Sequence, residues 1–191
     1  LDIEQQLVKD CIEKIGIGFL FAPNFHPAMK NVSGPRKEIS IRTIFNILGP
    51  VCNPAQVEHQ VIGVCKKEFL KKLSAVLMNL GVKHALIVYG EDGIDEITMT
   101  TKTYVVEIKN KSITEYNISP EDFGMKRCSI EELKVRNSRD NLDAFMSVLN
   151  GKPGHKADAA LLNAGAAIYV ADKVKTINQG VEMARESIFS G

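Results

Sequence analysis

Apolar positions recur along the chain with periods that sort it into helices and strands. Near the start, Ile3, Leu7, Cys11 and Ile15 fall four apart, with Val8 and Ile12 beside them. That spacing predicts an amphipathic helix over 2–15, closed by Gly16. Residues 60–65 (QVIGVC) and 84–89 (HALIVY) are short apolar runs of the kind that a parallel sheet buries on both faces. Between them Phe69, Leu70, Leu73, Val76, Leu77 and Leu80 make one stripe of a helix over 67–80, closed by Gly81. Strand, helix and strand in this order form a βαβ unit, whose strands run parallel. Residues 104–109 and 112–117 alternate around Asn110-Lys111 and predict an antiparallel hairpin. Residues 119–136 are polar and broken by Pro120 and Gly124, with a short helix near 130–133. Three helices follow: 139–149, ended by Gly151 and Pro153; an Ala-rich one over 155–170; and 176–189, with Thr176 as its cap. The expected class is α/β: a doubly wound, mainly parallel sheet with helices on both faces, in one domain over 1–191.

Residues 19–55 break this regularity. They combine a short apolar lead, a turn at Pro23-Asn24, a small helix over 26–30, a Ser-Gly-Pro break and a second helix over about 35–48. In that second helix Ile41, Ile44, Phe45 and Leu48 form the buried stripe. Pro35 suits a first helical position, Gly49 a C-cap, and Pro50 forbids continuation. Arg36 then falls in the first turn, where the helix dipole disfavours a cation. An anionic ligand would explain it; a solvated arginine fits the helix alone equally well. The second unusual stretch is the loop 90–96, Gly-Glu-Asp-Gly-Ile-Asp-Glu, after the second apolar run. In parallel α/β sheets ligands bind beyond the carboxyl ends of the strands. Adjacent Asp95 and Glu96 there can offer hard oxygen ligands to Mg²⁺, although an isolated acidic turn is more often only solvated.

Composition narrows the classes. Net charge is +1, with no basic run, so nothing marks a nucleic-acid partner. No apolar stretch reaches the ~18 residues of a membrane span, and no signal peptide is visible. Cys11, Cys52, Cys65 and Cys128 show neither C-x-x-C spacing nor grouping with histidines, which fits free thiols in a reducing cytoplasm. The chain opens at Leu1, without Met and inside a helix, so a fragment or the ordered part of a longer chain is expected.

Two long motifs carry a resemblance. FLFAPNFHPAMK (19–30) and PRKEISIRTIFNILGPVCNPA (35–55) closely resemble the anthranilate phosphoribosyltransferase family. The match continues at YGEDGIDE (89–96) and LNAGAAIYVAD (162–172). The resemblance implies transfer of the phosphoribosyl group of phosphoribosyl pyrophosphate to the amine of anthranilate, releasing pyrophosphate, in tryptophan biosynthesis. It implies Mg²⁺, with Asp95 and Glu96 as metal ligands. It places Arg36 on the anthranilate carboxylate, with His26, Gly49 and Pro50 lining the same aromatic path. No catalytic residue is assigned, Asn163 is read as structural, and Arg42 and Asn46 are read as supports of the Arg36 helix. The implied fold is the large C-terminal domain of the nucleoside phosphorylase/phosphoribosyltransferase type, incomplete at its N-terminus. The family's G-T-G-G-D phosphate loop and K-H-G-N segment do not occur in these 191 residues. Nor does the small N-terminal helical domain that carries the family's dimer contact. The whole protein is therefore expected to be a homodimer, and the 191-residue piece inactive alone. Ile39-Ser40-Ile41 stands where the family has Leu-Gly-Ile. Two rivals are a pyrimidine nucleoside phosphorylase-like enzyme, which leaves FHPAMK unexplained, and a short non-catalytic paralogue acting as a binding module.

Overall fold

The computed structural model describes residues 3–40 and 48–190. They fall into two compact units, Leu1–Gln56 and Val57–Gly191.

The first unit is helical. Helix α1 (Gln5–Ile15) ends at Gly16, whose φ of 87° lets its N–H bond back to the Cys11 and Ile12 carbonyls. Val8 is the buried residue of α1. The Gln5 side chain donates to the Asn24 carbonyl at 2.5 Å, tying α1 to the short helix α2 (Ala22–Phe25). A 3-10 turn, Pro27–Met29, runs directly into α3 (Lys30–Ile39). This corrects the expected helix over 35–48. Pro35 lies inside α3, not at its first position. Its fixed φ is a helical value, so the helix runs through Ser-Gly-Pro, although Pro35 has no N–H for the Asn31 carbonyl and its ring crowds that carbonyl. Ser40 then has φ of 53°, the left-handed region where the family's glycine is at ease. Residues 41–47, with most of the expected apolar stripe and with Arg42 and Asn46, lie outside the described residues. Gly49 is not a left-handed C-cap either: it opens a 3-10 turn, Gly49–Val51.

The second unit is a sheet clad by helices. Strand β1 (His59–Gly63), helix α4 (Phe69–Asn79) and strand β2 (His84–Gly90) form the expected βαβ unit, with His59 beside His84 and Gly63 beside Val88. Strands β3 (Thr103–Lys109) and β4 (Ser112–Ile118) pair as the expected hairpin. Asn110 and Lys111 both have positive φ, 52° and 60°, which matches the right-handed twist of the flanking strands. The order is β1-β2-β3-β4. Within the described residues parallel pairing is confined to β1–β2; β2–β3 and β3–β4 are antiparallel. The reason is local. A parallel return needs a long crossover, usually through a helix, and the β2–β3 connection holds none.

Alternation along the strands builds two cores. Leu86, Val88 and Val105 pack with Leu161, Leu162, Ala166 and Val170 of α7 (His155–Val170) and with Val181 and Ala184 of α8 (Ile177–Ser190). Ala85, Ile87, Val106 and Ile108, of opposite parity, are buried along with Leu70, Leu73 and Leu77 of α4. Helices therefore cover both faces, as expected for the class. Two glycines let α7 and α8 approach closely. A Cβ at Gly165 would lie 2.5 Å from the Val181 amide nitrogen, and one at Gly180 would strike the Gly165 carbonyl. The remaining helices, α5 (Ile130–Leu133) and α6 (Ser138–Leu149), carry no buried residue. Among the described residues no helix is long and apolar enough to cross a membrane.

Candidate functional site

Of the sequence-predicted site residues, Asp95 and Glu96 belong to the second unit and the others to the first. The β2–β3 connection, residues 91–102, starts at the carboxyl end of β2. Gly90 N–H bonds to the Ile94 carbonyl and Gly93 N–H to the Gly90 carbonyl, both at 2.9 Å. Gly93 has φ of 93°, so the turn needs glycine there.

The loop's first two acids are committed to its own architecture. Glu91 accepts from Lys102 Nζ at 3.0 Å, Tyr104 Oη at 2.8 Å and Thr101 Oγ1 at 3.0 Å. These contacts, Lys102 first, hold its carboxyl below the usual carboxylate range. Asp92 accepts from Thr98 Oγ1 at 2.6 Å, from Thr100 Oγ1, and from the Ile94 N–H at 3.2 Å. Partial burial pushes the Asp92 carboxyl up, but the threonine hydroxyls outweigh it and the net shift is downward. The loop's second two acids are not committed. Asp95 and Glu96 are exposed. Among the described residues neither side chain takes a hydrogen bond or an ion pair. Two adjacent carboxylates with unused lone pairs, at the carboxyl end of parallel strands, fit a hard divalent cation such as Mg²⁺.

Their backbone is held from below. The Ile97 N–H donates to Asn163 Oδ1 at 3.0 Å, and Asn163 Nδ2 donates back to the Ile97 carbonyl at 3.0 Å. The same Nδ2 also reaches the Ala159 carbonyl at 3.0 Å within α7. The expected structural role of Asn163 is thus specific: it clamps α7 to the residue after Glu96. Thr98 N–H bonds to Thr103 Oγ1 at 3.0 Å, and Thr98, Met99 and Thr103 are buried. On the other side, Gly63 ends β1 against Asp95. A Cβ at Gly63 would land on the Asp95 carbonyl oxygen. The Asp92–Thr98–Thr100 net and the Gly63 contact escaped the sequence reading. The one signal was the density of Thr over 98–103, which no periodicity explains.

In the first unit, His26 follows α2, with its N–H on the Ala22 carbonyl at 2.9 Å and its carbonyl accepting from Met29. It is half-buried, and among the described residues its ring takes no hydrogen bond. Arg36 lies one turn from the C-terminal end of α3, not in a first turn. The dipole argument therefore reverses, because a cation is favoured near a helix C-terminus. The Arg36 and Pro50 side chains lie outside what is described. Gly49 is exposed and accepts the Cys52 N–H through its carbonyl at 3.3 Å.

A second polar cluster occupies the opposite end of the sheet. His84, fully buried at the start of β2, contacts Asp172 Oδ1 through Nδ1 at 2.8 Å and Glu107 Oε1 through Nε2 at 3.0 Å. Glu107 also accepts from Tyr169 Oη at 2.6 Å and Tyr116 Oη at 2.9 Å. Burial, and after it the Glu107 carboxylate, pushes both phenols well above their usual range, so both remain donors.

Comparison with known proteins gives a consistent picture. A family model described as "Glycosyl transferase family, a/b domain" matches residues 1–191. An anthranilate phosphoribosyltransferase of Thioalkalivibrio sulfidiphilus is 47% identical over 191 residues, 100% of this chain and 56% of that protein. One of Methanobrevibacter smithii is 51% identical over 189 residues, 99% of this chain and 56% of that protein. The crystal structure of anthranilate phosphoribosyltransferase from Thermus thermophilus superposes with a TM-score of 0.92 at 39% identity, over 99% of this chain and 56% of that one. The Saccharomyces cerevisiae enzyme in complex with PRPP and Mg gives 0.87 at 27% identity, over 98% and 54%. The chain thus spans about half the length of the relatives it matches.

Proposed function

Because the chain belongs to the glycosyl transferase family, a/b domain, we propose that it supplies the acceptor-binding and metal-binding parts of an anthranilate phosphoribosyltransferase. The observation that carries the reading is the division of labour in the 91–102 loop. Glu91 and Asp92 are consumed by the loop, while Asp95 and Glu96 take no partner among the described residues, which supports a cation-binding role. The yeast relative solved with PRPP and Mg supports the choice of ligands.

In the reaction, the anthranilate amine forms a bond to the anomeric carbon of the ribose. The bond from that carbon to the pyrophosphate oxygen breaks, its electron pair leaves with pyrophosphate, and the amine gives up a proton. The leaving group is a polyanion, so alignment and charge stabilisation dominate over covalent catalysis. Bound Mg²⁺ would supply positive charge to the pyrophosphate. Asp95 and Glu96 would hold it, and the Asn163 clamp would fix their backbone. In this proposal Arg36 pairs with the anthranilate carboxylate through its planar fork and so orients the amine. His26, Gly49 and Pro50 line the path of the aromatic ring. The activity is proposed for a protein that carries this chain together with a glycine-rich pyrophosphate loop, as a cytoplasmic homodimer.

The test is turnover of anthranilate, followed by its fluorescence, in the protein that carries this chain. Charge-assisted bonds to a carboxylate contribute roughly 1.5–3 kcal/mol. Arg36→Ala should therefore raise the anthranilate KM by about tenfold to a hundredfold, with the phosphoribosyl pyrophosphate KM little changed. Equal rises in both would remove Arg36 from the acceptor side.

A further inference from the structure

We propose that His59, His84 and Asp172 form a binding site for a divalent transition-metal ion of the zinc type, at the end of the sheet opposite the Asp95–Glu96 loop. The parallel register of β1 and β2 sets His59 directly beside His84, with ring centroids 6.4 Å apart. Helix α7 ends over them, and its C-terminal turn delivers Asp172 with φ of 54°. Asp172 Oδ1 lies 2.8 Å from His84 Nδ1, and its Oδ2 lies 3.8 Å from His59 Nδ1. One ligand atom from each of the three side chains falls within 4.8 Å of the others. Two imidazoles and a carboxylate are a zinc donor set, and a fourth position for water or a backbone oxygen completes a tetrahedron. In the metal-free protein His59 Nδ1 instead donates to the Val170 carbonyl at 2.5 Å, a bond that the ion must replace as it displaces that proton.

Two further features point to a cation. First, the site sits at the negative end of the α7 dipole, beside the last carbonyl of a sixteen-residue helix. Second, the far nitrogen of His84 is already held by a carboxylate. Glu107, almost fully buried and fixed by two tyrosine hydroxyls, faces His84 Nε2 at 3.0 Å. A carboxylate behind a ligating histidine sets its tautomer and raises its basicity, as is usual in zinc sites. The exposure is graded to suit: His84 is buried, the His59 side chain is 33% exposed and that of Asp172 53%. Lys109 is the competitor. Its Nζ lies 3.7 Å from Asp172 Oδ1 and over the Tyr169 ring, so an ion must displace it from the carboxylate. Mg²⁺ is a poor fit, because it prefers oxygen ligands. The site is therefore distinct in chemistry, as in place, from the acidic loop.

The test is titration of the metal-free protein with Zn²⁺ by calorimetry, and with Co²⁺ as a spectroscopic substitute. The expected result is one ion per chain, undisturbed by excess Mg²⁺, with a Co²⁺ spectrum free of thiolate charge transfer. His59→Ala and Asp172→Asn lie at the surface and should keep the fold, checked by circular dichroism. Each should weaken binding by more than about tenfold, and Glu107→Gln by about 10- to 100-fold through His84. Lys109→Met should tighten it. The free cysteines Cys11, Cys52, Cys65 and Cys128 offer the rival ligands. A thiolate band, loss of binding on alkylation, binding that survives His59→Ala unchanged, or no binding at all would overturn the proposal.

Discussion

Replacing Asn163 with leucine, of similar volume, isolates the clamp between α7 and the acidic loop. Three hydrogen bonds disappear: one from the Ile97 N–H, one to the Ile97 carbonyl and one to the Ala159 carbonyl. Each contributes about 1 kcal/mol net, and a buried group left unpaired costs about 1–3 kcal/mol. Ile97 is 2% exposed, so water cannot replace the lost partners. A destabilisation of roughly 3 kcal/mol follows, which is about 6–12 °C in Tm for a protein of this size. The second readout is the Mg²⁺ requirement. Ile97 follows Glu96 directly, so loosening it should raise the Mg²⁺ concentration needed for half-maximal turnover, while the anthranilate KM stays put. Differential scanning calorimetry gives the first number and initial rates the second. A Tm shift below about 2 °C would refute the energetic reasoning. A large shift with an unaltered Mg²⁺ requirement would show that the clamp holds α7 but does not position the carboxylates.

Gly63→Ala should both destabilise the second unit and disturb the loop, because the added Cβ collides with the Asp95 carbonyl oxygen. Overpacking of this kind costs about 1–3 kcal/mol, to be read by thermal melting beside paired KM measurements in which only phosphoribosyl pyrophosphate responds. Asp92 gives a pH signature. Its folded carboxyl is held below the ordinary value by Thr100 and Thr98 against the opposing effect of burial. Its stabilisation is therefore present above the unfolded pKa of about 3.9 and is lost as pH falls through the lower folded value. Urea melts between about pH 2 and 6 should show a flatter acid limb for Asp92→Asn, and identical limbs would contradict the hydrogen-bond assignment.

The parts of the fold legible in the sequence are those whose signal is periodic or turn-specific. QVIGVC and HALIVY announced β1 and β2, the stripe from Phe69 to Leu77 announced α4, and Asn110-Lys111 occupies the two left-handed positions its hairpin needs. The region around Pro35 was misread for a physical reason. A proline's φ suits a helix start and a helix interior alike; the missing bond to Asn31 and the crowding of its carbonyl make the start the cheaper reading, yet α3 runs through Pro35. The mixed sheet was hidden because the connection after β2 looks like any acidic loop, and only its lack of a crossover helix marks the antiparallel return of β3. Asp95 and Glu96 were legible as candidate ligands, but what sets them apart from Glu91 and Asp92 was not. The distinction lies in which hydroxyls and which lysine the fold brings to each carboxylate. His84 was read as one more residue of an apolar run; its two carboxylate partners come from positions 23 and 88 residues away.

The central claim is that Asp95 and Glu96 are the metal-binding carboxylates of a phosphoribosyl transfer site. The most direct measurement is the Mg²⁺ dependence of phosphoribosyl-anthranilate formation by the Asp95→Asn/Glu96→Gln double variant, in the protein that carries this chain. Both side chains are exposed and hold no partner among the described residues, so folding and Tm should be unchanged. The account predicts that the Mg²⁺ and phosphoribosyl pyrophosphate concentrations needed for half-maximal rate each rise by more than about tenfold, ~1.4 kcal/mol, at a constant anthranilate KM. A folded double variant with the parent's Mg²⁺ dependence would contradict it.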